Sequence, residues 1–396
     1  MNKTLDLEIK GCFDFFWNEA NSDKNSPGFG LIKDKDAKGS ESMASIASVG
    51  FGLSAIIIGI ERGFISKSEG LERVKGTLLT FLNNVEEEYG FFYHFLNMKT
   101  AKKHEKFHDC ASVIDTSIFL NGAITVAEYF GGEIAEIFEM IYQRVNWLVY
   151  YDENNNWYYM GYDPKKGGWG QWDMYAEQLM QYILGVSSPK FPVPTKIYQG
   201  FRRDLGSYGQ YEFYNSPGGS LFTHQFSHAW YDFKNVYDKD GINWFDNSVK
   251  ASLAARQFCI DNPRNFKTFH KNAWGLTACQ GPEGYRGYGS PPLHPNCVDC
   301  TDGTIPPCGA IGSIIFTPEE SLEALEFFYT VPNLVGKYGL MDAYNQDLNW
   351  ICDFVIGIDK GISIVMLENY SSGMIHQLYM ANEYVKKATE LLVLTV

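Results

Sequence analysis

The stretch SIASVGFGLSAIIIGIERGFIS, residues 45–66, decides the fold. Apolar residues lie on nearly every side of the helix that its spacing predicts over 45–60, and such a helix is buried on most of its surface. The run is too short and too rich in Gly and Ser to cross a membrane. We therefore expect a buried helix that starts at Ser40 or Ser42 and ends near Gly63.

The segment that follows is amphipathic and not apolar on every side. Ser66 and Glu69 form a capping-box pattern, which predicts an amphipathic helix over 67–88. Another nearly all-apolar stretch, 116–127, predicts a second buried helix. Buried helices that alternate with amphipathic ones predict an all-α protein with two concentric rings of helices. Further helices are expected over 5–20, 112–130, 133–150, 173–185, 223–233, 246–261, 318–329, 346–356 and 372–392.

The remaining segments complete this architecture. The piece GFFYHFLN (90–97) predicts a small β-hairpin at one rim, and the helix-poor regions 186–222 and 262–316 predict long rim loops. No linker, low-complexity tract or change of composition divides the chain. A single domain over 1–396 is therefore expected.

Composition narrows the class of ligand. The formal net charge of −14 argues against a nucleic-acid partner, because phosphate binding needs a basic surface. Aromatic residues make up 16% of the chain, and many stand beside Gly and Asn in loop-like stretches such as WYYMGYDPKKGGWGQW (157–172) and GPEGYRGYGSPP (281–292). Aromatic rings in loops either stack on sugar rings or pack over a large core, and we favour a carbohydrate ligand.

The amino-terminal residues MNKTLDLEIKGCFDFFW carry acids where a signal peptide needs an apolar run. We therefore expect a cytoplasmic protein with no membrane partner.

Cysteines offer one metal alternative. Of the eight, Cys279, Cys297, Cys300 and Cys308 fall in one region, where they bind zinc, form a disulfide or remain reduced neighbours. Because the spacing from Cys279 is irregular, we expect no metal and no cofactor.

The strongest candidate for catalysis is Glu177, in GWGQWDMYAEQLMQYILGVSSP (168–189). Trp169 and Trp172 precede it, and Asp173 stands four residues before it, on the same face of a helix. An acid that enters an apolar helix behind two tryptophans is expected to have a raised pKa, which suits a general acid. The alternative is that Asp173 caps the helix and Glu177 makes a buried hydrogen bond.

Cleavage of a glycosidic bond needs a second carboxyl group. Asp115 opens an apolar helix, where it either caps the helix or faces the mouth of the ring. Glu368 follows the apolar run GISIVML and needs a partner if it is buried. Asp302, in TDGT, is explained by a turn.

The stretch FTHQFSHAWYDF (222–233) places His224, His228 and Asp232 at a spacing of four. On one helix these three would share a face and could hold a metal. The zinc signature, however, has a catalytic Glu beside the first His, and Gln225 stands there instead. We favour His224, Gln225 and His228 as hydrogen-bonding groups, either for sugar hydroxyls or for neighbouring rim loops. Trp230 is then a stacking face, and Asp232 is either the second carboxylate or a structural partner.

The chain resembles the bacterial glucoamylase-like family, which includes endo-β-1,2-glucanases and is related to a region of cyclic β-1,2-glucan synthases. The resemblance rests on ordered motifs that run nearly end to end. They are the opening stretch 45–66, GFFYHFLN (90–97), IDTSIFLNGAI (114–124), WDMYAEQLMQYILGVSSP (172–189), LFTHQFSHAWYDF (221–233), NWFDNSVKA (243–251), WGLTACQGPEGYRGYG (274–289), DGTIPP (302–307) and MLENYSSG (366–373).

The resemblance implies an (α/α)6 toroid with a carbohydrate site in its mouth, and it implies that Glu177 is the general acid. Further candidates for stacking on sugar rings are Trp169, Trp172, Tyr285 and Tyr288. Two positions depart from the β-1,2-glucanases, which have a Glu-Thr pair with another acid three residues upstream where this chain has Asp115 and Ser112, and Ser-Pro-Thr-His-Pro where it has Ser-Pro-Lys-Phe-Pro (188–192).

The leading hypothesis is a glycoside hydrolase that acts on a glucan or oligosaccharide, with β-1,2 linkages among the candidates. Glu177 donates the proton, and one of Asp115, Asp232 and Glu368 positions or activates water. The departures at Ser112 and Lys190 keep open a saccharide-binding protein without catalysis. A sugar isomerase or epimerase, with paired histidines as acid and base, is the third hypothesis.

Overall fold

Apolar helices and their amphipathic neighbours account for most of the regular structure. The computed structural model describes residues 2–106, 110–163, 165–294 and 301–396. The α-helices in these ranges are α1 (Lys3–Asn18), α2 (Ile46–Glu61), α3 (Lys67–Asn83), α4 (Val113–Phe130), α5 (Gly132–Tyr142), α6 (Leu179–Ser187), α7 (Trp244–Asp261), α8 (Pro307–Ile311), α9 (Pro318–Phe328), α10 (Gly357–Ser371), α11 (Met374–Ala381) and α12 (Glu383–Leu391).

The strands are short and antiparallel, and they belong to the connections between helices. They are β1 (Met43–Ser45), β2 (Glu87–Glu88), β3 (Phe91–Phe92), β4 (Phe95–Asn97), β5 (Tyr151–Asp152), β6 (Trp157–Asp163), β7 (Gly167–Gln171), β8 (Leu205–Tyr208), β9 (Tyr211–Tyr214), β10 (Ala278–Gly281), β11 (Gly284–Gly287), β12 (Val335–Gly336), β13 (Gly339–Leu340), β14 (Tyr344–Asn345) and β15 (Trp350–Ile351).

The decisive stretch forms α2, as expected. Ser45 caps it by accepting from the backbone N–H of Ser48, and nearly all of its residues are buried. The helix that follows, α3, begins with the predicted capping box of Ser66 and Glu69 and keeps a polar face in water. The buried helix over 116–127 is also confirmed, as the middle of α4.

Three buried helices, α2, α4 and α10, lie side by side with their first turns at one end of the molecule. Gly357, at the start of α10, lies against Ser48, and Gly361 lies one turn further on against Phe51. The segment 91–97 holds the starts of α2 and α4, since its carbonyl groups accept from Ile46 N and Ser112 N. We call this end of the bundle the mouth.

The piece 90–97 supplies one strand of a hairpin and does not form a hairpin by itself, because β3 pairs with β2 whereas β4 pairs with β1. Two predicted helices are wrong. The one expected over 346–356 is instead a turn after β14, with Asn349 at φ 48°, followed by β15 and a loop.

The helix expected over 223–233 is two 3₁₀ turns, Leu221–His224 and Phe226–Ala229. In 3₁₀ geometry residues three apart eclipse one another, so the predicted stripe at a spacing of four does not form. Trp230 explains part of this arrangement, because its ring stacks on Phe51 at 4.8 Å in the interior and its Nε1 donates to Ser54 Oγ at 3.0 Å.

Within the described ranges, no helix combines the length and the apolar character needed to span a bilayer.

Candidate active site

The mouth gathers carboxyl groups from chain segments that are far apart in sequence. Glu177 lies just before α6, and Asp115 is in the first turn of α4. Because α6 begins at Leu179 and not at residue 173, Asp173 and Glu177 do not share a helix face, which corrects that prediction. Asp34 precedes β1, and its carbonyl accepts from Gly357 N at the start of α10 at 2.7 Å. Asp359 is in the first turn of α10.

Glu177 has the features of a proton donor. Its side chain is 8% exposed, and burial raises its pKa to about 7, with the nearby Asp115 carboxylate adding to the shift. No other residue in the described part of the chain donates a hydrogen bond to its carboxyl group. Its backbone is fixed, because Ser227 Oγ donates to Glu177 O at 2.5 Å and accepts from Met180 N at 3.1 Å.

Asp115 is oriented by the start of its helix. Ser112 caps α4 by accepting from Asp115 N at 3.2 Å, and its hydroxyl donates to Asp115 Oδ2 at 2.5 Å. The Nδ1 atom of His94 lies 3.5 Å from the same carboxylate oxygen. Ser112, and not Asp115, is therefore the cap of α4, which corrects the capping interpretation of Asp115. The Asp115 carboxylate lies close enough to Glu177 for its charge to raise the pKa of that group.

Asp34 extends the cluster. Burial raises the pKa of its carboxyl group, an effect that His94 and Lys35 oppose and that Asp115 reinforces. No local pattern in KDKD (33–36) marks Asp34 as a site residue, and its position at the mouth follows from its contact with the start of α10.

A second carboxyl pair, Asp342 and Asp359, borders the same end. Both side chains are nearly fully buried; burial raises the pKa of each carboxyl group, and the charge of Asp342 raises the pKa of Asp359 further. Gln280 N donates to Asp342 Oδ2 at 2.8 Å, and Gln280 pairs with Tyr285 across β10 and β11. The sequence gives no signal for this pair, because its two members come from separate segments.

Aromatic side chains near these acids are partly accessible. Trp169 is 52% exposed and Tyr285 is 53% exposed. A Cβ atom at Gly161 would lie 2.3 Å from the Trp169 ring and 2.8 Å from Cys110 Sγ, which places this indole close to the start of α4. Trp172 is largely buried next to the segment that carries Glu177, and Asp173 forms an ion pair with Arg202 at 2.9 Å.

Several predicted sugar contacts are instead buried and bonded to protein groups. Gln225 Nε2 donates to Gly309 O and Ser313 Oγ, both at 2.8 Å, and His228 Nε2 lies 3.1 Å from Ser248 Oγ. His224 packs against the rings of Tyr175 and Phe213. We correct the prediction for these residues, and for Trp230 and Tyr288, because none of their side chains is more than 3% exposed.

Two of the predicted carboxylates lie at the other end of the bundle. Glu368 is nine residues after Asp359 on α10, which is about 13 Å along the helix axis. It pairs with Arg62 at 2.6 Å and accepts from Ser372 Oγ at 2.7 Å. Asp232 borders a pocket with Asn369 and Tyr370, in the last turn of α10. We therefore exclude Glu368 and Asp232 as partners of Glu177.

The cysteine cluster is only partly described. Cys279 and Cys308 are buried free thiols, whereas Cys297 and Cys300 lie outside the described residues. Elsewhere along the described chain, no group of three or more His, Cys, Asp or Glu side chains is arranged to hold a metal ion.

Comparisons with known proteins agree with this architecture. Residues 170–383 match the Glycoamylase family model, described as "Putative glucoamylase". An exo-β-1,2-glucooligosaccharide sophorohydrolase (non-reducing end) from Parabacteroides distasonis is 27% identical over 98% of this chain. The chain spans 57% of the length of that relative.

Two solved structures are similar over almost their entire length. One, a "putative glucoamylase" from Bacteroides uniformis, is 30% identical, with a TM-score of 0.90 over 100% of this chain and 97% of the other. The other, an endo-β-1,2-glucanase from Chitinophaga pinensis in complex with sophorotriose and glucose, is 26% identical, with a TM-score of 0.90 over 100% and 98% of the two chains. Since the family match covers more than half of the sequence, this chain belongs to the glucoamylase-like family.

Proposed function

We propose that this protein is a glycoside hydrolase that cleaves β-1,2-linked gluco-oligosaccharides, with Glu177 as the general acid. The observation that carries the proposal is the Glu177 carboxyl group, whose pKa of about 7 results mainly from burial. A carboxylic acid that is still partly protonated at neutral pH can donate to a leaving oxygen. The names of the relatives from Parabacteroides distasonis and Chitinophaga pinensis support the linkage.

The proposed reaction uses two carboxyl groups. Glu177 gives its proton to the glycosidic oxygen as the bond from that oxygen to the anomeric carbon breaks. A second carboxylate stabilises the developing positive charge on the sugar ring and accepts one proton of the water molecule whose oxygen bonds to the anomeric carbon as the new hydroxyl group. Of the three acids considered for this second role, Asp115 is the one whose charge acts on Glu177, so we assign the role to Asp115.

Substrate binding is proposed to use the two accessible rings. Trp169 and Tyr285 offer apolar faces on two sides of the mouth, and sugar rings stack on such faces. Asp173 is proposed to orient hydroxyl groups, with its carboxylate held by Arg202. Trp172 supports the wall behind Glu177.

The isomerase alternative relied on His224 and His228. Burial lowers the pKa of both imidazoles, that of His224 to about 3, and both rings are enclosed by aromatic side chains. Groups placed in this way do not reach a sugar in the mouth, so we do not pursue this alternative.

The test is Glu177→Gln on a panel of β-1,2-, β-1,3-, β-1,4- and α-1,4-linked gluco-oligosaccharides. Wild type is expected to release product from the β-1,2-linked members. Loss of a general acid lowers kcat by about 10²–10⁴-fold, and Glu133→Gln, at a 61% exposed glutamate, is the matched control with unchanged turnover. Equal turnover by wild type and Glu177→Gln on any substrate that the wild type cleaves would refute the assignment.

We also propose how the helices are arranged and how many domains the chain forms. The parallel packing of α2, α4 and α10 supports the (α/α)6 toroid, and we propose that residues 1–396 form one domain. The cytoplasmic location stays a prediction from the sequence.

A further inference from the structure

A second pocket lies at the end of the bundle opposite the mouth. Its volume is about 580 Å³, and its lining includes Asp232, Lys234, Phe245, Tyr370, His376 and Gln377. Tyr370 is eleven residues after Asp359 on α10, which is about 16 Å along the helix axis. The pocket is therefore separate from the carboxyl cluster around Glu177.

The His376 ring is held in one orientation. Its Nε2 lies 2.8 Å from His228 O, and because a carbonyl oxygen only accepts hydrogen bonds, Nε2 must carry the hydrogen. Asn369 fixes the first turn of α11, the helix that carries His376. Its Oδ1 accepts from His376 N and its Nδ2 donates to Ala229 O. Burial lowers the pKa of His376, so the ring is neutral at pH 7 and its Nδ1 is an acceptor.

That Nδ1 atom has no hydrogen-bond partner among the described residues. Asp232 adds a second acceptor, because only its Oδ1 is used, by the N–H of Lys234 at 3.0 Å. Donors stand nearby as well, namely the Lys234 ammonium, the Tyr370 hydroxyl and the Gln377 amide.

Apolar surface completes the lining. Phe245 is in the first turn of α7, and its ring contacts Phe316 at 5.2 Å and His228 at 6.4 Å, so it is fixed from behind. Tyr370 is 42% exposed, which leaves its ring open to a ligand. Pro318 and Met380 also line the pocket.

We propose that this pocket is a second saccharide-binding site that takes a monosaccharide or disaccharide. Its volume is in the range of small-molecule sites. A sugar ring has hydroxyl groups that both donate and accept and an apolar face that stacks on aromatic rings, which matches the mixed lining. The Asp232 carboxylate disfavours an anionic ligand, and the Lys234 ammonium disfavours a cationic one.

The experiment is a titration followed by NMR of the histidine side chains, in the 396-residue chain with Glu177→Gln to prevent turnover. The chain has eight histidines, so the His376 signal is identified by its loss in His376→Gln. Glucose, sophorose (the β-1,2-linked glucose disaccharide), cellobiose and maltose are the probes. At least one is expected to shift the His376 signal in a saturable way.

Matched variants locate the binding. Asp232→Ala and Tyr370→Ala are expected to weaken this titration at least tenfold. Asp240→Ala and Tyr237→Ala change an acid and a 45% exposed tyrosine in a different surface groove, and they are expected to leave it unchanged. If Asp232→Ala does not fold, Lys234→Ala, at an exposed side chain, replaces it.

The inference is overturned if no probe shifts the His376 signal, or if the shift persists with unchanged affinity in the pocket variants. An inactive wild-type enzyme would refute the proposed hydrolase and leave this binding result intact. An active enzyme without a His376 response would refute the second site alone.

Discussion

At the scale of single residues, the Glu177 carboxyl group is the most informative. Because burial raises its pKa to about 7, the proton that it must donate is lost as the pH rises through that value. We therefore expect kcat/KM on a β-1,2-linked oligosaccharide to fall tenfold per pH unit above about pH 7. Rates measured from pH 5 to 9 check this, and a profile that stays level up to pH 9 would contradict it.

The same group affects stability. Its pKa is 4.5 in the unfolded chain and about 7 in the folded protein, so between these values the folded state binds more protons and the unfolding free energy falls as the pH rises. A difference of 2.5 pKa units corresponds to about 3 kcal/mol. Glu177→Gln lacks this penalty and is expected to be more stable than wild type at pH 8.

Urea unfolding at pH 4 and pH 8 measures the effect. The stability difference between Glu177→Gln and wild type should be larger at pH 8 by up to that amount, with Glu133→Gln as the control. The same stability difference at both pH values would show that burial does not raise the pKa of the Glu177 carboxyl group.

Glu177 could be found from the sequence because its signal is local, an acid between two tryptophans and an apolar helix. Asp34 and the pair Asp342 and Asp359 could not. Each stands in an ordinary polar loop or first helical turn, and only the side-by-side packing of the helix starts brings them together. The prediction for His224 and His228 was wrong for a different reason. Their spacing of four residues suggested one face of a helix, and that helix does not form.

At the scale of elements, the first turn of α4 connects folding to catalysis. Ser112→Ala removes both the cap bond to Asp115 N and the hydrogen bond to Asp115 Oδ2. Loss of such a cap costs about 1 kcal/mol of stability, and an Asp115 carboxylate without its hydroxyl donor should also lower kcat/KM about tenfold.

Ser112→Thr keeps the hydroxyl group and is expected to retain most of both properties. Urea unfolding and steady-state kinetics compare the two variants. If Ser112→Thr is as impaired as Ser112→Ala, then the hydroxyl group is not what orients Asp115.

The contact between α2 and α4 depends on glycine. A Cβ atom at Gly122 would lie 2.0 Å from Gly50 O, a backbone atom that cannot move aside without separating the helices. Gly122→Ala is therefore expected to destabilise the protein by about 1–3 kcal/mol. At Gly218 a Cβ atom would meet nothing within 4 Å, so Gly218→Ala is the control. A Gly122→Ala protein as stable as wild type in urea would contradict this packing.

The helices show which elements a sequence reveals. Those with an uninterrupted apolar run, such as α2 and α4, lie close to their predicted positions. The helix α3 starts at its predicted capping box but ends at Asn83, before the predicted end at residue 88. No helix was predicted over α10, which starts with the glycines Gly357 and Gly361. Glycine lowers intrinsic helix propensity, and here tertiary packing outweighs that preference, since both glycines lie against α2.

At the scale of the whole molecule, the two ends of the chain are joined in the interior. Lys360 Nζ on α10 donates to Glu8 Oε1 on α1 at 2.7 Å across 352 residues of sequence. Both side chains are almost fully buried, and Glu8 also accepts from Tyr329 OH and Leu340 N, each at 3.0 Å. Nothing local predicts this pair, because neither residue is unusual within its own helix.

Removing one partner of this pair leaves a buried charge without compensation. Lys360→Met and Glu8→Gln are each expected to cost about 3–5 kcal/mol, whereas the double variant should cost clearly less than the sum, because neither charge then remains. Urea unfolding of the four proteins gives the coupling energy. Glu8→Gln keeps an acceptor for Leu340 N, so the cycle isolates the ion pair.

Since the pair links α1 to α10, all four proteins should unfold in one transition if residues 1–396 form one domain. Additive costs, or a separate early transition in the single variants, would show instead that the ion pair does not join the two ends of the chain.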